Sequence, residues 1–149
     1  MSPCKLRMYG FSLRAKNKLQ LITLYPYRKI LKIRALVIDD NKDIQNVFAE
    51  LLYFNNVDVV GKGSNGQEAV ELYKKLHPDI VFIDAMMPEY NGFYGLEKIR
   101  EYDPKSTIVL VTGSINVEDE IDGYGASAIL PKPINMTKIM NVIKKFCIH

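Results

Sequence analysis

At 149 residues, with 48% hydrophobic and 25% charged side chains, the chain has the size and composition of one globular domain with a substantial core. Its net charge of +3 hides a split: residues 1–34 carry nine Lys/Arg and no acid, whereas the rest carries 11 basic and 17 acidic side chains, or 11 − 17 = −6. The basic pI therefore does not mark the body as a nucleic-acid binder, and Cys4 and Cys147, near opposite ends, exclude a disulfide framework or a cysteine metal motif and fit a reducing cytoplasm.

Residues 1–31 are expected to be a basic N-terminal extension, weakly ordered or forming an appended helix, and residues 32–149 the folded domain. The apolar segment Leu19–Tyr25 within the extension is short and is interrupted by Pro26. No apolar stretch approaches the ~18–20 residues of a membrane-spanning helix.

From Lys32 the pattern changes to alternating strands and helices. Lys32–Ile38 reads as a buried strand. Ile44, Val47, Phe48, Leu51 and Leu52 recur at helical spacing and predict a helix over residues 42–54. Val57–Val60 is a short β-rich run closed by Gly61 and Gly63. Ala69, Val70, Tyr73 and Leu76 mark a second helix that starts near Asn65 and is stopped by Pro78. Ile80–Ile83 is a strand, and Phe93, Leu96 and Ile99 mark a third helix that ends before Asp103 and Pro104. Thr107–Val111 is a β-branched strand. A weaker helix is expected over Val117–Tyr124, then a very short strand, Ala128–Leu130. Met136, Ile139, Met140, Ile143 and Phe146 define the last helix.

Five strand–helix pairs in strict alternation predict an α/β fold, a doubly wound (βα)5 parallel sheet of flavodoxin-like order 2-1-3-4-5. In that order the switch point lies between strands one and three, which is where ligands bind. Asp39 and Asp40 end the first of these strands and Asp84 the third. Clustered carboxylates suit a hard divalent cation. Thr112 and Lys132 end strands four and five on the same rim, adding a hydroxyl and an ammonium. Acids, hydroxyl and ammonium are the parts that phosphoryl transfer requires. Taken singly, Asp39 or Asp40 could be only a helix N-cap, Thr112 only a β-branched strand residue and Lys132 only a solvated charge. Two adjacent acids facing a third from a neighbouring strand are harder to explain without a cation.

Val37-Ile38-Asp39-Asp40-Asn41, Asp79 through Pro88, Asn91-Gly92, Val111-Thr112-Gly113, Gly125-Ala126-Ser127-Ala128 and Pro131-Lys132-Pro133 occur in this order across the body. Together they resemble the receiver domain of two-component response regulators, from Lys32 to about Phe146. The resemblance implies that Asp84 is the phosphoacceptor, taking a phosphoryl group from a histidine kinase or phosphotransfer protein. It implies Mg²⁺ held directly by Asp40, by Asp39 mainly through water, by Asp84 and by the backbone carbonyl of Met86. Thr112 and Lys132 would contact the phosphoryl group, and the Lys132–Pro133 peptide would be cis. Gly92 and Gly125 read as backbone necessities.

The sequence departs from the family at Ile129, where an aromatic switch residue often stands. With no output module expected, signalling would be a binding event: a downstream protein on the face of the fourth helix, fifth strand and last helix. A cytoplasmic single-domain regulator is the expected whole. It would have no small-molecule substrate, catalysing only its own phosphorylation and dephosphorylation. A phosphate-independent interaction module is the alternative, and a metal-dependent phosphohydrolase a lesser one. The hydrolase usually needs a second acid two residues after the nucleophile, where this chain has Met86.

Overall fold

Five runs of aliphatic and β-branched residues form a single parallel sheet in the order β2-β1-β3-β4-β5. The computed structural model describes residues 32–113 and 125–148. Along them run β1 (Ile33–Ile38), α1 (Lys42–Phe54), β2 (Val57–Gly63), α2 (Gly66–Leu76), β3 (Ile80–Asp84), α3 (Gly92–Tyr102), β4 (Ile108–Thr112), β5 (Ala128–Pro131) and α4 (Met136–Cys147). The flavodoxin-like topology expected from the alternation is the one observed. The helix expected over Val117–Tyr124 and the extension at residues 1–31 lie outside the described residues. None of the described helices is long and apolar enough to cross a membrane.

Strand side chains alternate between faces, so each strand feeds two cores. Leu36, Ile38, Val81, Ile83, Ile108 and Leu110 pack under α2 and α3, against Ala69, Tyr73, Leu96 and Ile99. Ala35, Val37, Ile80, Phe82, Val109 and Val111 pack on the other face, against Phe48 and Leu52 of α1 and Ile139 and Ile143 of α4. Phe48 meets Phe82 edge to face at 5.0 Å.

Two local expectations need correction. On α1, Val47 was expected to face inward but is 55% exposed, while Gln45 is 1% exposed. The buried stripe runs Gln45, Phe48, Leu52, at i, i+3 and i+7, which rotates Val47 to the outside. Strand β2 does not stop at Val60 but continues through both glycines to Gly63. Leu36 and Leu76 press so closely on Gly61 that a Cβ there would lie 2.8 and 2.9 Å from their methyl groups. A register shift between Ala35 and Leu36 accommodates the extra residue. As expected, α2 is capped by Asn65 and stops just before Pro78: it ends at Leu76, where His77 turns left-handed (φ 46°) and its N–H donates to the Tyr73 carbonyl.

Gly125 and Gly92 are each required by the backbone. Gly125 has φ +71°, and its carbonyl accepts from Arg100 Nη2 at 2.8 Å, which ties the start of β5 to α3. Gly92 lets the first turn of α3 rest on the main chain at the end of β3: a Cβ there would lie 2.2 Å from the Asp84 carbonyl oxygen. Gly92→Ala is therefore expected to lower unfolding free energy by about 1–3 kcal/mol in urea denaturation. Gly113→Ala should change it by less than about 0.5 kcal/mol, because a Cβ at Gly113 meets nothing within 4 Å among the described residues.

Candidate functional site

The carboxylates reach one place because of strand parity. Asp39 follows Ala35 and Val37 at even spacing, Asp84 follows Ile80 and Phe82, and Lys132 follows Leu130. All of those apolar residues belong to the core under α1 and α4. The three polar residues therefore leave their strands on the same face, at the C-terminal edge, on β1, β3 and β5. Strands β1 and β3 are adjacent, and β1 then turns away to β2, so the crevice of the doubly wound sheet opens here.

Asp39, Asp40 and Asp84 each offer a carboxylate oxygen within 4.8 Å of the others. Asp39 and Asp84 are buried and Asp40 is exposed. None of them is consumed by capping. The N-cap of α1 is Asn41, whose side chain accepts from the N–H groups of Asp43 and Ile44. The N-cap reading of the acid pair is thereby removed. Asp39 Oδ1 instead accepts from the Asn41 N–H at 2.9 Å.

Lys132 Nζ donates to Asp39 Oδ2 at 2.8 Å and to Asp84 Oδ2 at 2.9 Å. Asp84 Oδ1 accepts the Met86 N–H at 3.0 Å. Burial opposes the charge on Lys132, but the two hydrogen bonds and the attraction of both carboxylates outweigh it, so the ammonium pKa is raised. The Lys132 backbone is set by its own N–H, which donates to the Thr112 carbonyl at 2.7 Å, and by a cis peptide to Pro133.

Three carboxylates and one ammonium leave a formal charge of −2. An all-oxygen donor set of that charge fits a hard divalent cation. Lys132 bridging two of the acids already shows the site organised around positive charge.

The other expected residues lie close by. Thr112 is buried at the end of β4, one residue beyond Val111, which pairs with Asp84. It has the parity of Ile108 and Leu110, whose side chains join the α2–α3 core. Ile129, paired with Leu110, packs against that same core. Met86 is 64% exposed, and its backbone is held at Asp84 by the N–H bond. The residue that sequence reasoning missed is Gln45, buried beneath Asp39. A glutamine on a helix carries no periodic signal of burial; only its spacing from Phe48 and Leu52 pointed inward.

The response regulator receiver domain family matches residues 35–144. Protein CcdB of Bacillus subtilis is 33% identical over 118 residues, 78% of this chain and 98% of that protein. Chemotaxis protein CheY of Thermotoga maritima is 32% identical over 114 residues, 75% of this chain and 95% of that one. In fold, a CheX–CheY–BeF3–Mg complex from Borrelia burgdorferi aligns with a TM-score of 0.71 at 21% identity, covering 79% of this chain and 92% of that one. The chain belongs to the response regulator receiver domain family and is homologous to CheY.

Proposed function

We propose that Asp84 accepts a phosphoryl group from the phosphohistidine of a sensor kinase or phosphotransfer protein, and that the modified domain signals by binding a downstream protein. The observation that carries this reading is the Lys132 ammonium, hydrogen-bonded at once to Asp39 and Asp84 inside a three-carboxylate cluster. Such a cluster is costly unless its charge is needed. Transfer to an anion requires that positive charge stand ready beside the nucleophile.

A carboxylate oxygen of Asp84 attacks phosphorus, the P–N bond to the donor imidazole breaks, and the electron pair stays on the ring nitrogen, which takes a proton from solvent. The product is an acyl phosphate on Asp84. Attack by water on phosphorus returns the carboxylate and inorganic phosphate. Lys132 is already within hydrogen-bond reach of Asp84 and exchanges its carboxylate partner for a phosphoryl oxygen. Thr112, at the end of the adjacent strand with the parity of the α2–α3 core, is the hydroxyl that swings toward the group from the β4 side.

Asp40, Asp39, Asp84 and the Met86 carbonyl would hold Mg²⁺, with Asp39 acting mainly through water. When bound, the ion offsets the charge of the acids and of the incoming phosphoryl group. Asp39 has both carboxylate oxygens engaged, by the Asn41 N–H and by Lys132, whereas Asp40 is exposed. That asymmetry supports Asp40 as the direct ligand. Burying phosphoryl charge at Asp84 draws on Thr112 and Lys132, and so on β4 and β5, whose outer edge leads to the proposed partner face. Ile129 fills space beside Leu110 there but has no ring to reorient.

Incubation with acetyl phosphate and Mg²⁺ should raise the intact mass by one phosphoryl group in the wild type and leave Asp84→Asn unchanged. An unmodified wild type would refute the reading.

Lys132 supplies a second test. Its folded pKa is raised, so its stabilising effect is fully present below the ordinary lysine value of 10.5 and is lost as pH climbs through the folded value. Denaturant titrations at about pH 9 and about pH 11 should show the wild type losing more stability than Lys132→Met. At neutral pH, Lys132→Met should be less stable by about 1–3 kcal/mol, because two buried acids lose their shared cation. It should also take up phosphoryl groups more slowly from acetyl phosphate.

A further inference from the structure

Gln45 is the one buried polar side chain on α1, and the phosphoryl-transfer reading gives it no task. It lies 1% exposed in the stripe that otherwise holds Phe48 and Leu52. Its Nε2 donates to the Asp39 carbonyl at 2.5 Å and to the Gly63 carbonyl at 2.7 Å. The Asp39 N–H donates to that same Gly63 carbonyl at 3.0 Å. The β1–β2 register ends at the pair Ile38 and Gly63. Beyond that pair, the backbone that carries both acids is tied to β2 by these bonds.

The consequence is that every polar atom of Asp39 has a partner. Its N–H meets Gly63, its carbonyl Gln45, Oδ1 the Asn41 N–H and Oδ2 Lys132. Asp39 is then a fixed post from which the chain turns through Asp40 into α1. Repulsion among the three carboxylates pushes that turn outward, away from Asp84. Its backbone is held in place by the Gln45 amide at the Asp39 carbonyl and by the Asp39 N–H at Gly63, whose carbonyl Gln45 also engages.

We infer that Gln45 is a positioning residue of the cation site: its amide clamps the main chain at Asp39, and through it sets the separation of Asp39 and Asp40 from Asp84. This rests on the reading that the acids hold Mg²⁺. Groups outside the direct ligand set that orient metal ligands commonly change affinity by about 10–100-fold when removed. A role confined to stability would behave differently, because a destabilised but still folded domain binds the ion as before.

The test is Mg²⁺ affinity of the folded protein without a phosphoryl donor, read from amide chemical shifts. It compares the wild type, Gln45→Met and a control, Leu52→Val, which weakens the same stripe without touching Asp39. Gln45→Met keeps the length of the side chain and removes both donors. Its Mg²⁺ dissociation constant should rise about 10–100-fold, the Leu52→Val value should stay at wild type, and the Asp39 amide should exchange faster in Gln45→Met alone. If Gln45→Met does not fold, Gln45→Asn, one methylene short of both carbonyls, carries the same expectation. Equal Mg²⁺ affinity in the Gln45 variant and the wild type overturns the positioning role and leaves the cation reading intact. No Mg²⁺ response in the wild type overturns the cation reading and this inference with it.

Discussion

One ammonium group holds the candidate site together. Lys132 Nζ sits 2.8 Å from Asp39 and 2.9 Å from Asp84, joining the end of β5 to the ends of β1 and β3. Two like charges about 4 Å apart repel by roughly 4 kcal/mol at an effective dielectric of 20, so the acids need a counter-charge to remain close. One lysine cannot balance three carboxylates. The remainder is a standing electrostatic cost that a divalent cation would relieve, and a phosphoryl group could then be accepted where the acids alone would repel it.

The fold exists to make that convergence possible. A parallel sheet buried on both faces fixes strand registers to within one residue, because a slip would send every strand side chain into the core meant for its neighbours. With the register fixed, Asp39, Asp84 and Lys132 emerge on the α1–α4 face. Thr112 and Ile129 share the parity of the α2–α3 core. Gly92 brings the start of α3 against the main chain at Asp84, so Asp84 is also braced from that side. Gln45 does the same for Asp39. The backbone is thus held on both sides at Asp39 and Asp84, with exposed Asp40 as the least constrained of the three.

Most of the fold was legible in the sequence, because buried parallel strands are nearly continuous apolar runs and their helices have a 3.6-residue stripe. The carboxylates were legible because three acids close two such runs. What could not be read were the exceptions to those patterns. Gln45 was opaque because an amide satisfied by two main-chain carbonyls has the same letter as one in water. Val47 misled because its neighbour Phe48 fits the stripe better. Gly61 and Gly63 signalled a strand end, yet here they are thin places in the strand: Gly61 lets Leu36 and Leu76 approach, and Gly63 lets Ile38 and Leu72 approach. Asp39 and Asp40 were the acids read as possible caps of α1, and the hydrogen bonds give that place to Asn41 instead.

The electrostatic debt of the acid cluster is the centre of this account, and it is directly measurable. Unfolding free energy should be determined for the wild type and Asp40→Asn in the absence and presence of Mg²⁺. Without the ion, Asp40→Asn should be the more stable protein, since one repelling charge is gone. With the ion, the wild type should gain stability with rising concentration as a ligand bound only by the folded state requires, and Asp40→Asn should gain much less. An Asp40→Asn protein that is less stable without Mg²⁺, or a wild type whose stability ignores Mg²⁺, would contradict the account.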